Sequence, residues 1–188
     1  MRSVSSGSMF TRMAASMTGA RAHPSRTALG PWRPLPDTEP MTQRVDLATV
    51  MDRFALDDLI TGYAAAVDEG DWSAYRGLFA PDGRADYRGS GGIEGPAAEV
   101  ADWLAATLPL FPVRQHLIVN RRVRFREPGG YPETGDRADI GADYVNPMRF
   151  ASGEDFVCGG RYAFAARRTA DGWRLASVVV DERWRRHG

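Results

Sequence analysis

Four stretches of the chain, QHLIVNRRVRFRE (115–127), RADIGADYVNPMRF (137–150), DFVCGGRYAFAARR (155–168) and GWRLASVVVDERW (172–184), alternate apolar with polar residues or are rich in β-branched ones. That period of two marks β-strands. The joins EPGGYPETGD (127–136), ASGED (151–155) and TADG (169–172) are turn material. Gly141, Gly159 and Gly160 fall inside the strands and are candidate bulge or bend points.

Ahead of the strands the period changes to that of a helix. From about Asp52, the residues Leu56, Leu59, Ile60, Tyr63, Ala64 and Val67 recur at helical spacing, and Gly70 stands where the helix should stop. Asp71 is placed to cap a short second helix in DWSAYRGLFA (71–80), which ends before Pro81. PDG (81–83) reads as a turn, RADYR (84–88) as a short strand with Ala85 and Tyr87 on one face, and Gly89–Gly92 as a loop. Pro96 fits the first position of a third helix with the stripe Val100, Trp103, Leu104 and Thr107, ending before Pro109. Three helices followed by long strands joined by turns predict an α+β domain on a curved, antiparallel sheet.

The composition bounds what such a domain does. The chain has 188 residues, enough for one domain and a tail. It contains no Lys, and its 24 Arg balance 24 carboxylates, which argues against a nucleic-acid or anionic-membrane binder. A single cysteine, Cys158, excludes a disulfide framework and a multi-thiolate metal site. The neutrality is a sum of two parts. Residues 1–40 hold five Arg against Asp37 and Glu39 and lack hydrophobic periodicity, so residues 41–188 are mildly acidic. Residues 1–48 are expected to be a disordered or mis-annotated extension, and residues 49–188 the domain. The Arg- and Ser-rich composition of the extension also fits a transit peptide. It contains no apolar run of signal-peptide or transmembrane length, and a cytoplasmic location without membrane contact is expected.

Of three histidines, His23 and His187 lie near the ends, leaving His116 for any imidazole chemistry. It has the parity of Ile118 and Asn120 on its strand. A lone strand histidine is by default a hydrogen-bonded core or surface residue. Asp68 lies on the flank of the first helix's apolar stripe, near a C-terminus whose dipole disfavours a carboxylate. Tyr63 and Tyr87 are by default core aromatics with satisfied hydroxyls.

From Leu56 onward, LDDLITGYAAAVDEGDW (56–72), LFAPDGRADYRGSGG (78–92), RQHLIVN (114–120) and RYAFAARRTADGWRLASVVVDERW (161–184) together resemble the SnoaL-like, scytalone-dehydratase-like branch of the nuclear transport factor 2-like superfamily. The resemblance implies a cone-shaped α+β barrel, with three helices packed in a strongly bent, mostly antiparallel sheet around a deep, largely apolar pocket. It also implies an acid on the first helix paired with a histidine on a central strand, positions held here by Asp68 and His116. Tyr63 matches the tyrosine of the similar bile-acid dehydratase, and Tyr87 that of scytalone dehydratase. Asn146 lies on the strand that gives a further polar pocket group, and Tyr162 takes the place of a substrate-holding asparagine. The chain departs from scytalone dehydratase at Val67 and in lacking a second pocket histidine.

These matches imply a lyase (dehydratase) or isomerase that needs no cofactor and no metal. Asp68 would orient His116, His116 would move the proton, and Tyr63 or Tyr87 would hold the oxygen of a small hydrophobic carbonyl substrate. Imidazole ionises near pH 6.5, so it can be base and then acid at neutral pH. The expected lining is Phe54, Tyr63, Trp72, Trp103, Ile118, Phe164 and Val179, with Tyr87, Asn146 and Tyr162 contacting substrate. Arg183 and Trp184 would reach the rim. The same fold also serves as a ligand-holding or oligomerisation module, and resembles the small subunit of ring-hydroxylating dioxygenases. Self-association as a homodimer or homotrimer is implied.

Overall fold

A computed structural model describes residues 47–126 and 136–188. The expectations for the extension and for most of the 127–136 turn lie outside the described residues.

Helix α1 (Leu47–Glu69) starts ahead of Asp52 and buries Leu56, Leu59, Ile60, Tyr63 and Val67 of the expected stripe, with Ala66 buried in addition and Ala64 only half-buried. It ends at Gly70, whose φ of +71° is the left-handed turn that glycine makes without steric cost. The Asp71 carboxylate accepts from the Ala74 N–H at 2.8 Å and starts α2 (Trp72–Gly77).

Strand β1 (Phe79–Asp86) corrects the sequence reading, because PDG is not a turn between helix and strand but part of β1. Its pairing with β7 passes from Phe79↔Leu175 to Arg84↔Ser177, so the four residues between on β1 oppose only Ala176 on β7, and PDG forms an outward bulge. Gly83 permits it, since a Cβ there would stand 2.8 Å from the Phe79 Cβ. Tyr87 falls just past the strand, at the cap of a 3-10 turn over Arg88–Ser90. The short β2 (Glu94–Pro96) leads into α3 (Ala97–Thr107), for which Pro96 is the cap rather than the first helical residue.

Five strands then follow a 3-10 turn at Leu108–Leu110: β3 (Val113–Arg114), β4 (Leu117–Phe125), β5 (Arg137–Arg149), β6 (Asp155–Thr169) and β7 (Gly172–His187). The sheet order is β2-β1-β7-β6-β5, with β3 and β4 both on the far side of β5. Only the β1–β7 pair is parallel. The sheet is bent and does not close on itself, and the domain is mixed α+β as the sequence predicts. Even-numbered residues of β5 from Ala138 to Asn146 face inward with the apolar face of α1. The β6–β7 register slips at Gly159/Gly160 and again at Ala165/Ala166. The β4–β5 register slips between Val119 and Arg122, where Arg122 faces Gly141. All three suspected glycines therefore sit at or beside irregularities. Among the described residues no helix is long and apolar enough to cross a membrane.

The N-terminal turns of α1 are clipped to the β6–β7 hairpin through Asp52. Its carboxylate accepts from Arg168 at 2.5 Å and from the Trp173 indole at 3.1 Å, while the Arg168 guanidinium lies 4.8 Å over the Trp173 ring. Burial raises the Asp52 carboxyl, but the Arg168 and Trp173 hydrogen bonds and the Arg168 charge outweigh it and hold the group below its ordinary value. A depressed carboxyl stabilises the fold above its unfolded-state value and ceases to do so as pH falls through its folded value. Asp52→Asn is expected to lower stability by about 1–2 kcal/mol at pH 7. Thermal melts from pH 7 to pH 3 should show the gap between wild type and variant closing on acidification. A gap that stays constant with pH would contradict this role.

Candidate active site

The last turn of α1 carries Asp68, and both of its carboxylate oxygens are used. Oδ2 accepts the backbone N–H of His116 at 2.8 Å, and Oδ1 meets the His116 ring Nδ1 at 2.6 Å. A carboxylate has only acceptors, so Nδ1 is the protonated nitrogen, and in the neutral ring Nε2 carries the lone pair. Nε2 makes no hydrogen bond with any described residue, and it is not among the fully buried unpartnered atoms. It is therefore not completely buried. The His116 side chain is only 9% exposed and that of Asp68 24%, so the pair works with little competition from water.

The local chain is built around this pair. His116 does not lie within a strand, as alternation predicts, but in the break between β3 and β4. Gln115 N–H bonds the Pro147 carbonyl at 3.1 Å, so the next N–H, that of His116, points to the open edge of the sheet, where Asp68 accepts it. Arg114 offsets the poor placement of a carboxylate at a helix C-terminus. Its Nε donates to the Val67 carbonyl at 3.1 Å and its NH1 to the Phe111 carbonyl at 3.2 Å, putting a cation on the exposed end of α1.

A second polar group lies deeper. The hydroxyls of Tyr63 and Tyr87 hydrogen-bond each other, both residues being buried, and the Tyr63 ring packs against Tyr75, Tyr162 and Phe164. Burial pushes both hydroxyls well above the usual phenol range, reinforced by neighbouring tyrosines, so they are neutral donors and not bases. Burial likewise takes Tyr75 up to about 12. Asn146 is 5% exposed, a buried polar group on the inward face of β5. Its Oδ1 and the Tyr75 hydroxyl are buried without a hydrogen-bond partner.

The SnoaL-like domain family matches residues 48–179, about two thirds of the chain. The chain belongs to this family. An uncharacterized protein of Mycobacterium tuberculosis, Rv2910c, is 34% identical over 137 residues, covering 72% of this chain and 88% of that one. Among solved structures, one from Novosphingobium aromaticivorans, provisionally named an aromatic ring hydroxylase, has a TM-score of 0.65 at 26% identity, covering 74% and 94% of the two chains. The hexachlorocyclohexane dehydrochlorinase LinA-type3 of Novosphingobium barchaimii has a TM-score of 0.65 at 16% identity, covering 76% and 94%. A Novosphingobium aromaticivorans protein provisionally named a scytalone dehydratase has a TM-score of 0.61 at 13% identity, covering 73% and 87%. The chain shares the fold of these proteins.

In this SnoaL-like domain the expected site residues fall into two groups. Asp68 and His116 meet directly. Tyr63, Tyr87 and Tyr162 form the deeper cluster with Asn146, while no hydrogen bond or ring contact links Tyr63 to the dyad among the described residues. Tyr63 precedes Asp68 by five residues on α1, about 140° around the helix and about 7.5 Å along it, so the two face different ways. Ile118 is buried; Trp72 and Trp103 are half-buried, their rings 6.1 Å from those of Tyr75 and Tyr87. Phe54 and Val179 are corrections to the expected lining. They are 63% and 41% exposed, the first off the buried face of α1 and the second on the outer face of β7. Trp184, 48% exposed, covers Gly159 on that outer face, and Arg183 pairs with Asp181, so neither lies on the inner wall. The sequence reading missed Arg114, although it stands two residues before His116. A cavity of about 310 Å³ lined by Val113, Gln115, Pro147 and Val157 lies on the outward-facing positions, behind His116 and Asn146.

The tyrosine pair yields a thermodynamic test. Tyr63→Phe or Tyr87→Phe strands the other hydroxyl in a dry core, and each is expected to destabilise by about 1–3 kcal/mol. The double variant should fall short of the sum by about 1 kcal/mol or more in urea unfolding. Additive losses would show that the hydroxyls do not interact.

Proposed function

We propose that this SnoaL-like protein is a cofactor-independent lyase or isomerase, acting as a dehydratase-type proton-transfer catalyst on a small, hydrophobic, carbonyl-bearing substrate. The observation that carries the proposal is the Asp68 carboxylate on His116 Nδ1 at 2.6 Å, with Nε2 left free. Eliminating water β to a carbonyl begins with removal of a weakly acidic α-proton. Nε2 of a histidine whose Nδ1–H is held by a carboxylate is suited to accept it, and the carboxylate stabilises the imidazolium that forms. The negative charge then moves to the carbonyl oxygen. Neutral hydroxyl donors in a water-poor core, Tyr63 and Tyr87, would hold that oxygen. Trp72, Trp103, Ile118 and Tyr162 give the apolar surroundings, and Asn146 a polar contact. Elimination is also the reaction named for LinA, a dehydrochlorinase of the same fold.

A second reading, a ligand-holding or oligomerisation module, is favoured by the outer sheet face, where Leu117, Val119, Val179 and Trp184 are exposed. A homodimer or homotrimer would cover them, and turnover separates the two readings.

Wild type, His116→Ala and Asp68→Asn would be compared on a panel of β-hydroxy ketones, including polyketide-like and steroid-like members. The expected loss is about 10²–10⁴ in kcat/KM for His116→Ala with the fold intact by circular dichroism. Asp68→Asn should also lose activity, because an amide can donate to Nδ1 and so favour the tautomer with a protonated Nε2. Unchanged turnover in both variants would overturn the assignment.

A further inference from the structure

The register of the sheet places one more acid on the inner wall. Arg114 pairs with Met148 and Leu117 with Val145, so His116 stands opposite Asn146, which in turn faces Cys158 on β6. The next inward row runs from Ile118 to Tyr144, Gly160 and Glu182. On β7 the inward positions are Val178 and Val180, both buried, and then Glu182, whose side chain is only 8% exposed.

Glu182 continues the register of Val178 and Val180, and a bulge follows it directly. Gly159 pairs with Trp184 but Gly160 with Glu182, so Arg183 is the extra residue. The bulge sends Trp184 to the outer face over Gly159. It also brings Arg185 to the side of Glu182, which a regular strand would not do for residues three apart. Arg185 Nε donates to one Glu182 oxygen; the other makes no hydrogen bond among the described residues. The groups around the carboxyl are Arg185 and His187 on β7, Cys158 on β6 and Tyr144 on β5. Burial raises the Glu182 carboxyl above its ordinary value, against the pull of Arg185.

We propose that Glu182 is a second catalytic group, the acid that protonates the departing hydroxyl of a β-hydroxy carbonyl substrate lying between it and His116. The proposal rests on the proton transfer by Asp68 and His116 put forward under Proposed function. Strands β4 to β7 are three spacings apart, about 14 Å between backbones, which two inward side chains and a small substrate would span. Asn146 lies between them on the same face with a buried, unpartnered Oδ1 able to accept a substrate O–H. The α-carbon loses its proton to His116 Nε2, and the electron pair passes through the enolate into a new C=C bond. The C–O bond breaks and the hydroxide leaves as water with the Glu182 proton. The proton on His116 then returns to Glu182 through solvent.

The test separates the two halves of the reaction. Three compounds share one skeleton: a β-hydroxy ketone, its β-chloro analogue, whose chloride leaves without a proton, and the ketone lacking both groups, whose α-hydrogen exchange in D₂O is followed by NMR. Glu182→Gln is expected to lower kcat on the hydroxy ketone by about 10²–10³, with less than about threefold change on the chloro ketone and unchanged exchange. His116→Ala should abolish all three. Equal losses for Glu182→Gln on hydroxy and chloro ketones, or no loss on either, would overturn the role of Glu182 while leaving the dyad standing. Full exchange and elimination in His116→Ala would overturn the dyad and this proposal with it.

Discussion

The Asp68 carboxylate holding His116 by backbone and ring together is the constraint around which the domain's open end is arranged. Its two bonds join residues 48 apart in sequence and tie the end of α1 to the sheet. A carboxylate at a helix C-terminus is disfavoured by about 0.3–1 kcal/mol, whereas a hydrogen bond to a charged group contributes about 1.5–3 kcal/mol. The bonds win, and Arg114 on the Val67 carbonyl removes much of what opposes them. The same carboxylate takes the edge N–H of His116 and fixes which ring nitrogen is free.

Behind the dyad, the interior divides charge from neutrality. The phenols of Tyr63, Tyr75, Tyr87 and Tyr162 are all raised by burial and stay neutral, able to donate but not to act as bases at physiological pH. In the proposed reaction, proton removal would fall to His116 and oxygen binding to the tyrosines and Asn146. Regular alternation points both His116 and Glu182 to the inner face, on opposite sides of β5 and β6, and the Arg183 bulge turns Trp184 to the outer face.

Much of this was legible in the sequence. The stripe from Leu56 to Val67, the stop at Gly70, the Asp71 cap and the four long strands arise from periodicity and end signals that act locally. Asp68 and His116 could be singled out as residue types, but only resemblance to a family brought them together, because nothing local encodes a contact across 48 positions. PDG looked like a turn, since the β7 partner that draws it into β1 lies about 90 residues away. Phe54 was misplaced because an apolar residue on a helix need not lie on its buried stripe. Glu182 escaped notice although it continues the parity of Val178 and Val180, because an acid beside Asp181 and Arg183 reads as surface charge.

The most direct measurement is the ¹⁵N NMR spectrum of the His116 imidazole in the ligand-free protein, taken at a pH where the ring is neutral. Wild type should show a protonated Nδ1 and a pyridine-like Nε2, and Asp68→Asn should shift the balance toward the other tautomer. A protonated Nε2 in the wild type, or an even mixture that Asp68→Asn leaves unchanged, would contradict the claim that Asp68 prepares His116 as a base.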